Sequence, residues 1–397
     1  MFKNKFFDLN FKSKFIKTTL KSFILLMMMG CIMGMKPKLS EKEKEELKNI
    51  EQFNSTVGAK GWHIKNRLIE EENISGVKLN NSSLSSIDFS RVKAKNSTFE
   101  NTQFDGVNFY DSDFSNSTFN GVVFNSCEFI RANFKNSKLI KCTFKGCEVN
   151  DTEMAETKFE NSTLEKFTDK SGKYARSQFH ATHIIKPKWD NSSFYDAIFD
   201  ASDFEGGSLN RVILADINAT NLKFHDVKIT HSSFNRANVN GLTFDDCEID
   251  GIGFSGEQIQ GLKFSNCKDL SNLAVLNASA RGLSIENCKR MSEPKFYQSK
   301  FFGFSVKNSK LSYFYAVETE FSANSSIVES KIAGINISKS KLTDMIFENS
   351  QISDYLAYSN AIIENLKLKN VSYDSKIEIL DDGASYINSD HFPPKQK

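Results

Sequence analysis

Along most of the chain a large apolar residue, most often phenylalanine, returns every fifth position, and a small residue stands two places before it. Phe99, Phe104, Phe109, Phe114 and Phe119 open the clearest stretch, and Phe124, Phe129, Phe134, Leu139 and Phe144 continue it. Residues two apart on a strand point to the same side, and the one between points away. Three steps separate each centre from the next small residue, so an unbroken strand would put that residue on the wrong face. The backbone must therefore bend once per repeat. An α-helix cannot use this pattern: at about 100° per residue, positions five apart fall about 140° apart and form no apolar stripe. Short strands joined by regular bends predict a parallel coil in which each turn pairs with the turns above and below.

The units themselves resemble the pentapeptide-repeat family, whose consensus is Ala-(Asp/Asn)-Leu-x-x. Ala132-Asn133-Phe134 and Ala237-Asn238-Val239 match it closely. Ser112-Asp113-Phe114 and Ser202-Asp203-Phe204 match with Ser for Ala and Phe for Leu. The resemblance covers roughly residues 77–370. It implies an all-β fold, a right-handed quadrilateral parallel β-helix with four repeats per coil. Right-handedness agrees with the general preference of parallel crossovers.

Centres run on one phase from Leu79 through Leu164 and from Phe194 to Phe264, with Phe179, Ile184 and Trp189 on the same phase between them. Residues 165–176 keep the count but lose the pattern, which predicts a bulge or a looped-out face. Beyond Phe264 the phase slips by one residue near 270–285, before Phe301, before Ile327 and before Leu368. About 58 repeats at four per coil give roughly 14 coils, a rod of about 70 Å. The predicted divisions are 1–30 signal peptide, 31–56 tether and short polar helix, 57–76 N-terminal cap, 77–370 β-helix and 371–397 C-terminal cap and loose tail. The β-helix is expected to be irregular near 165–176 and 270–300.

Composition adds a constraint on function. The chain has 51 basic and 49 acidic residues, a net charge of +2. The family resemblance brings with it mimicry of DNA, which needs a strongly negative rod. A balanced surface argues against that role and equally against binding nucleic acid. Six cysteines (Cys127, Cys142, Cys147, Cys247, Cys267 and Cys288) fall at the small inward position, where Cys serves as a small buried side chain in place of Ser or Ala. Cys127 and Cys147, and Cys247 and Cys267, are spaced to stack one coil above the other.

The N-terminus carries Lys3, Lys5, Lys12, Lys14, Lys17 and Lys21, followed by the apolar run Phe23–Met29 and then Gly30-Cys31. A basic segment, a short apolar core and a small residue at the cut predict an export signal, and the core is too short to span a bilayer as a helix. Gly30-Cys31 resembles the end of a bacterial lipobox, although Met28 and Met29 replace the usual Leu and small residue. The resemblance implies cleavage before Cys31, lipid attachment at its sulfur and stable anchoring to a cell membrane or outer membrane. Ser40 and Glu43 then predict a capping box opening a polar helix to about Phe53.

Candidate chemistry is sparse. His180, His183, His225 and His231 read as surface or structural histidines, because no third ligand converges on them. No metal site, cofactor or catalytic group is expected. Tyr297, Tyr315 and Tyr358, with Tyr313 at the corner, form a candidate contact patch for a protein or glycan partner. The expected function is a non-enzymatic, membrane-anchored lipoprotein whose rod binds or scaffolds in the cell envelope. The alternatives are a DNA mimic acting on a topoisomerase and a glycan-acting envelope enzyme, which would require a pair of carboxylates in a groove.

Overall fold

A computed structural model describes residues 36–57 and 61–392. The predicted signal segment and Cys31 lie outside the described residues. The chain winds as an all-β parallel solenoid. Leu84 pairs with Phe104, Phe104 with Phe124 and Phe124 with Phe144, each one turn further on. The neighbouring face runs Leu79, Phe99, Phe119 and Leu139. Four such faces, stepped by five residues, make one turn. One face forms a sheet of sixteen parallel strands, so the solenoid has sixteen turns rather than roughly 14.

The required bend is visible in the backbone. Asn81, Ser86, Arg91, Asn96 and Asn101 have φ of 51°, 51°, 57°, 54° and 46°, and the series continues at every corner. Each corner residue sits two places after a centre. Asn, Asp and Gly recur there because they tolerate the left-handed region best. Between corners the centre points inward. Phe99, Phe104, Phe124, Phe129 and Phe134 are fully buried. Their rings stack along the axis, with Phe99 on Phe119 at 4.8 Å and Phe109 on Phe129 at 4.9 Å. The small residue two places earlier closes the turn: Ser112 Oγ donates to Phe89 O and Ser137 Oγ to Phe114 O, both at 2.8 Å.

Two glycines test how tightly the turns stack. Gly207 has φ +77°, and a Cβ placed there would meet Pro187 O at 2.3 Å. Gly282 has φ +68° with open space around it. Gly282→Ala is expected to cost about 1 kcal/mol, the strain of an L-residue in that region. Gly207→Ala must also push two turns apart and should lower the thermal midpoint clearly further. Equal midpoints for the two variants in parallel melts would refute this account of the packing.

The N-terminal end is closed by two helices, α1 (Glu41–Lys48) and α2 (Ile50–Val57). The capping box forms as expected: Glu43 N donates to Ser40 Oγ at 3.2 Å and Ser40 N to Glu43 Oε2 at 2.7 Å. Phe53 and Val57 are buried against the first turn, and Phe53 meets Trp62 edge-on at 5.2 Å. Asn54 accepts from Lys78 N at 2.6 Å and donates to Gly76 O at 3.1 Å, satisfying edge groups that a bare solenoid end leaves open. Residues 63–75, expected as a cap, already pair one turn on, through His63–Lys65 with Ser83–Ser85.

Residues 165–176 correct an expectation. They neither bulge nor loop out: Thr168–Lys170 pairs with Glu148–Asn150 below and Lys188–Asp190 above. The pattern is lost because Asp169 occupies an inward centre and Tyr174 the next, both fully buried. The expected loose tail is corrected as far as residue 392, and residues 393–397 lie outside the described residues. Glu378–Asp382 and Ser385–Ile387 are strands of the last turn, and Phe392 is buried against Phe347 and Tyr358, with ring centroids at 5.6 and 5.9 Å.

Candidate functional site

Because the axis is packed with side chains, chemistry directed outward must come from the residues flanking each centre and from the corners. These form columns along the solenoid, one residue per turn. In several columns opposite charges alternate. Arg131 Nε donates to Asp111 Oδ1 at 2.7 Å, Arg236 Nε to Asp216 Oδ1 at 2.7 Å and Arg176 to Glu156 at 2.6 Å. Lys228 reaches Glu248 at 2.7 Å. The Arg131 and Arg236 guanidinium groups hold the Asp111 and Asp216 carboxyls below their usual range, chiefly through these hydrogen bonds. Exposed pairs of this kind contribute only about 0–1 kcal/mol each. Their larger effect is to cancel charge from turn to turn.

Three of the candidate histidines also stand beside a carboxylate of the next turn, while His231 occupies a corner with φ of 50°. His180 and His183 both face outward on either side of the Ala181 corner. Their Nδ1 atoms lie 2.8 Å from Asp200 and 2.6 Å from Asp203, one turn away. His225 lies 3.2 Å from Asp245. Among the described residues, no three His, Cys, Asp or Glu side chains are grouped to hold a metal.

The tyrosine patch is partly redrawn. Tyr313 stands on a corner and is 42% exposed, while Tyr297 and Tyr315 flank centres of the adjoining face and are half-buried. Tyr358 is turned inward and only 4% exposed. The reason is an extra residue between Ile352 and Tyr358: opposite the preceding strand the register shifts between Ala333 and Ile335, so Ile337 pairs with Tyr358 and not with Ala357. That bulge brings out a residue the sequence pattern did not single out. Tyr355 lies across Gly334, where a Cβ would stand 2.7 Å from its ring, and stacks on Tyr313 at 6.2 Å and 26°. Burial, and then the hydrogen bond with Tyr315, push the Tyr355 phenol up. Beside them Leu276, Tyr297 and Val317 follow one another in register on the outside of the same face. The patch is therefore Tyr297, Tyr313, Tyr315 and Tyr355, with Leu276 and Val317.

The interior holds two kinds of reactive group. The six array cysteines are buried and unbridged. They take the place of the small hydroxyl residue: Cys127 Sγ donates to Phe104 O at 3.5 Å and Cys142 Sγ to Phe119 O at 3.4 Å. Burial pushes the Cys142 and Cys247 thiols up to about 12, away from the reactive thiolate. The second is Asp169. Gly172 N donates to its Oδ1 and Ser192 Oγ to its Oδ2, both at 2.9 Å. Burial pushes this carboxyl up to about 6, and the bonds from Ser192 and Gly172 only partly oppose the shift. Closed inside the coil, neither kind of group faces a ligand.

Comparison with known proteins follows the same lines. The family model for pentapeptide repeats matches in eight copies, including residues 73–111, 108–146 and 127–165. Among solved structures, the chain is similar to HetL, a pentapeptide repeat protein involved in heterocyst differentiation regulation from the cyanobacterium Nostoc. The match is 13% identical, covers 65% of this chain and 89% of that one, and has a TM-score of 0.22. It is also similar to QnrB1, a plasmid-mediated fluoroquinolone resistance protein, at 15% identity over 47% of this chain and 93% of that one, with a TM-score of 0.20. A tailspike protein of an E. coli bacteriophage is 11% identical over 84% of this chain and 76% of that one, with a TM-score of 0.31. No curated protein matches.

Proposed function

We propose that this chain, a member of the pentapeptide-repeat family, is a non-enzymatic rod that binds or scaffolds in the cell envelope, held to a bacterial membrane by lipid on Cys31. The observation that carries the binding half is the axis filled with buried rings and aliphatic side chains, which leaves the outward columns as the working surface. The Tyr297–Tyr313–Tyr315–Tyr355 patch is the part of that surface best suited to a protein or glycan partner, since it joins exposed aromatic area to hydroxyl groups. The anchoring half rests on the basic, apolar and Gly30-Cys31 sequence at the N-terminus. Against a DNA mimic stands the alternation of charge along the columns, which breaks up any continuous acidic face.

In a bacterial host, labelled palmitate is expected to enter the full chain and to be absent from Cys31→Ser, which should leave the membrane fraction. Equal labelling of the two proteins would defeat the anchor. For the binding half, Tyr313→Ala with Tyr355→Ala should abolish capture of envelope components by the immobilised protein. Unchanged capture would remove the patch from the proposal.

A further inference from the structure

One outward column breaks the rule of charge alternation. Lys268, Lys289, Lys310 and Lys331 follow one another turn by turn: their backbone N–H groups donate in succession to Cys247 O, Cys267 O, Cys288 O and Ser309 O. Lys310 and Lys331 are direct partners across the ladder. Lys268 turns aside to Asp226 at 2.7 Å and Asp246 at 3.7 Å. Lys289, Lys310 and Lys331 are exposed, and among the described residues none of the three has a carboxylate within 4.0 Å. Like charges set directly opposite one another in a sheet are repulsive. Here three are stacked at the turn spacing of about 4.8 Å, with no partner to relieve them.

The same residues line a groove of about 410 Å³, together with Asn287, Asn308 and Glu329 of the adjacent corner. The amides form a ladder of their own: Asn308 Nδ2 donates to Asn287 Oδ1 at 2.9 Å, and Asn287 Nδ2 to Asn266 Oδ1 at 3.4 Å. Each amide retains a free N–H. The groove thus offers a line of three ammonium groups beside a line of two neutral amides, Asn287 and Asn308, that ends in the single carboxylate of Glu329, so cations outnumber anions by three to one. It has no aromatic lining residue, and single-stranded nucleic acids depend on such rings for stacking. A linear ligand with repeated negative charges and many hydroxyls satisfies both lines at once.

We propose that the Lys289–Lys310–Lys331 column binds an acidic polysaccharide laid along the solenoid axis, its carboxylate or sulfate groups on the ammoniums and its hydroxyls on Asn287 and Asn308. The assignment rests on reading the rod as a binding surface and names the ligand class for one part of it. The test uses immobilised heparin as the sulfated chain and polygalacturonate as the carboxylated one. The full chain should be retained on at least one of them at physiological salt and released as salt rises, and the column that retains it identifies the anionic group. Lys289→Gln/Lys310→Gln/Lys331→Gln should flow through. Lys135→Gln/Lys138→Gln/Lys141→Gln, with the same loss of charge on one distant turn, should behave as wild type, and matching circular dichroism would show both variants folded. Flow-through of the wild type on both columns, equal loss in the two triple variants, or displacement by single-stranded DNA as readily as by free glycan would each overturn the proposal. Such a failure would leave the palmitate and tyrosine-capture results untouched, so it is distinguishable from failure of the broader reading.

Discussion

Phe124→Ala is expected to cost the solenoid about 3–5 kcal/mol, the range for emptying a buried aromatic site. Phe124 is fully buried and stands in the middle of the longest run of rings. It stacks on Phe104 at 5.2 Å below and Phe144 at 4.6 Å above, and meets Phe119 and Phe129 within its own turn at 5.7 and 5.3 Å. The loss therefore reaches three turns. A solenoid is held by contacts between neighbouring turns, so the damage should concentrate around residues 104–144 rather than spread along the rod. Hydrogen exchange should show lowered protection there first, and limited proteolysis should cut there. The adjacent residue supplies the control: Val123 points outward and is 38% exposed, so Val123→Ala should change stability by no more than about 0.5 kcal/mol. If the two substitutions cost the same, the inward centre is not the main stabilising element.

The difference between these neighbours is also what made the fold readable. A centre every five residues with a small residue two before it leaves a single parity solution, a bend after each centre, and the left-handed corners at Asn81, Ser86 and Arg91 are that bend. The cysteines could be placed inside for the same reason, since they occupy the position of Ser112 and Ser137. Legibility failed where the chemistry of a position departed from its geometry. Asp169 at a centre suggested a loop because a carboxylate there conceals the period. In residues 63–75 the centres Ile64, Ile69 and Ile74 keep the phase, but Trp62, Arg67 and Glu72 stand where small residues are expected, so the first turn read as a cap.

The surface was harder still, because an inserted residue changes which side chains face out without disturbing the apolar count. Between Ile352 and Tyr358, Ala357 and Tyr358 are both acceptable centres by composition. Only the pairing of Ile337 with Tyr358 decides the matter, and it exchanges Tyr358 for Tyr355 in the contact patch. The lysine column was hidden in the same way. Lys289, Lys310 and Lys331 lie across two register slips, so a count of twenty does not align them.

Replacing Asp169 with Asn should flatten the pH dependence of stability and make the protein firmer at neutral pH. The carboxyl is fully buried, accepts from Gly172 and Ser192, and has its pKa pushed up to about 6 from an ordinary value near 3.8. An acid whose folded pKa lies above its unfolded one stabilises the fold most when protonated. That contribution is complete below the unfolded value, is lost as pH climbs towards the folded one, and is absent above it. A displacement of roughly two units corresponds to about 3 kcal/mol, so between about pH 4 and pH 6 the wild type should weaken by up to that amount at the turns holding residues 148–190. The paired surface carboxylates act in the opposite sense and lower down: the arginine-held Asp111 and Asp216 have lowered pKa values, and their contribution fades only on further acidification. Denaturant midpoints for wild type and Asp169→Asn, measured from pH 4 to pH 8, separate the two effects, since the surface pairs are common to both proteins. The curves should lie close together at the acid end and diverge through pH 6, with the variant above. Parallel curves would mean that Asp169 does not hold its proton inside the coil, and the buried carboxyl would then need a cation or water at its side to carry its charge.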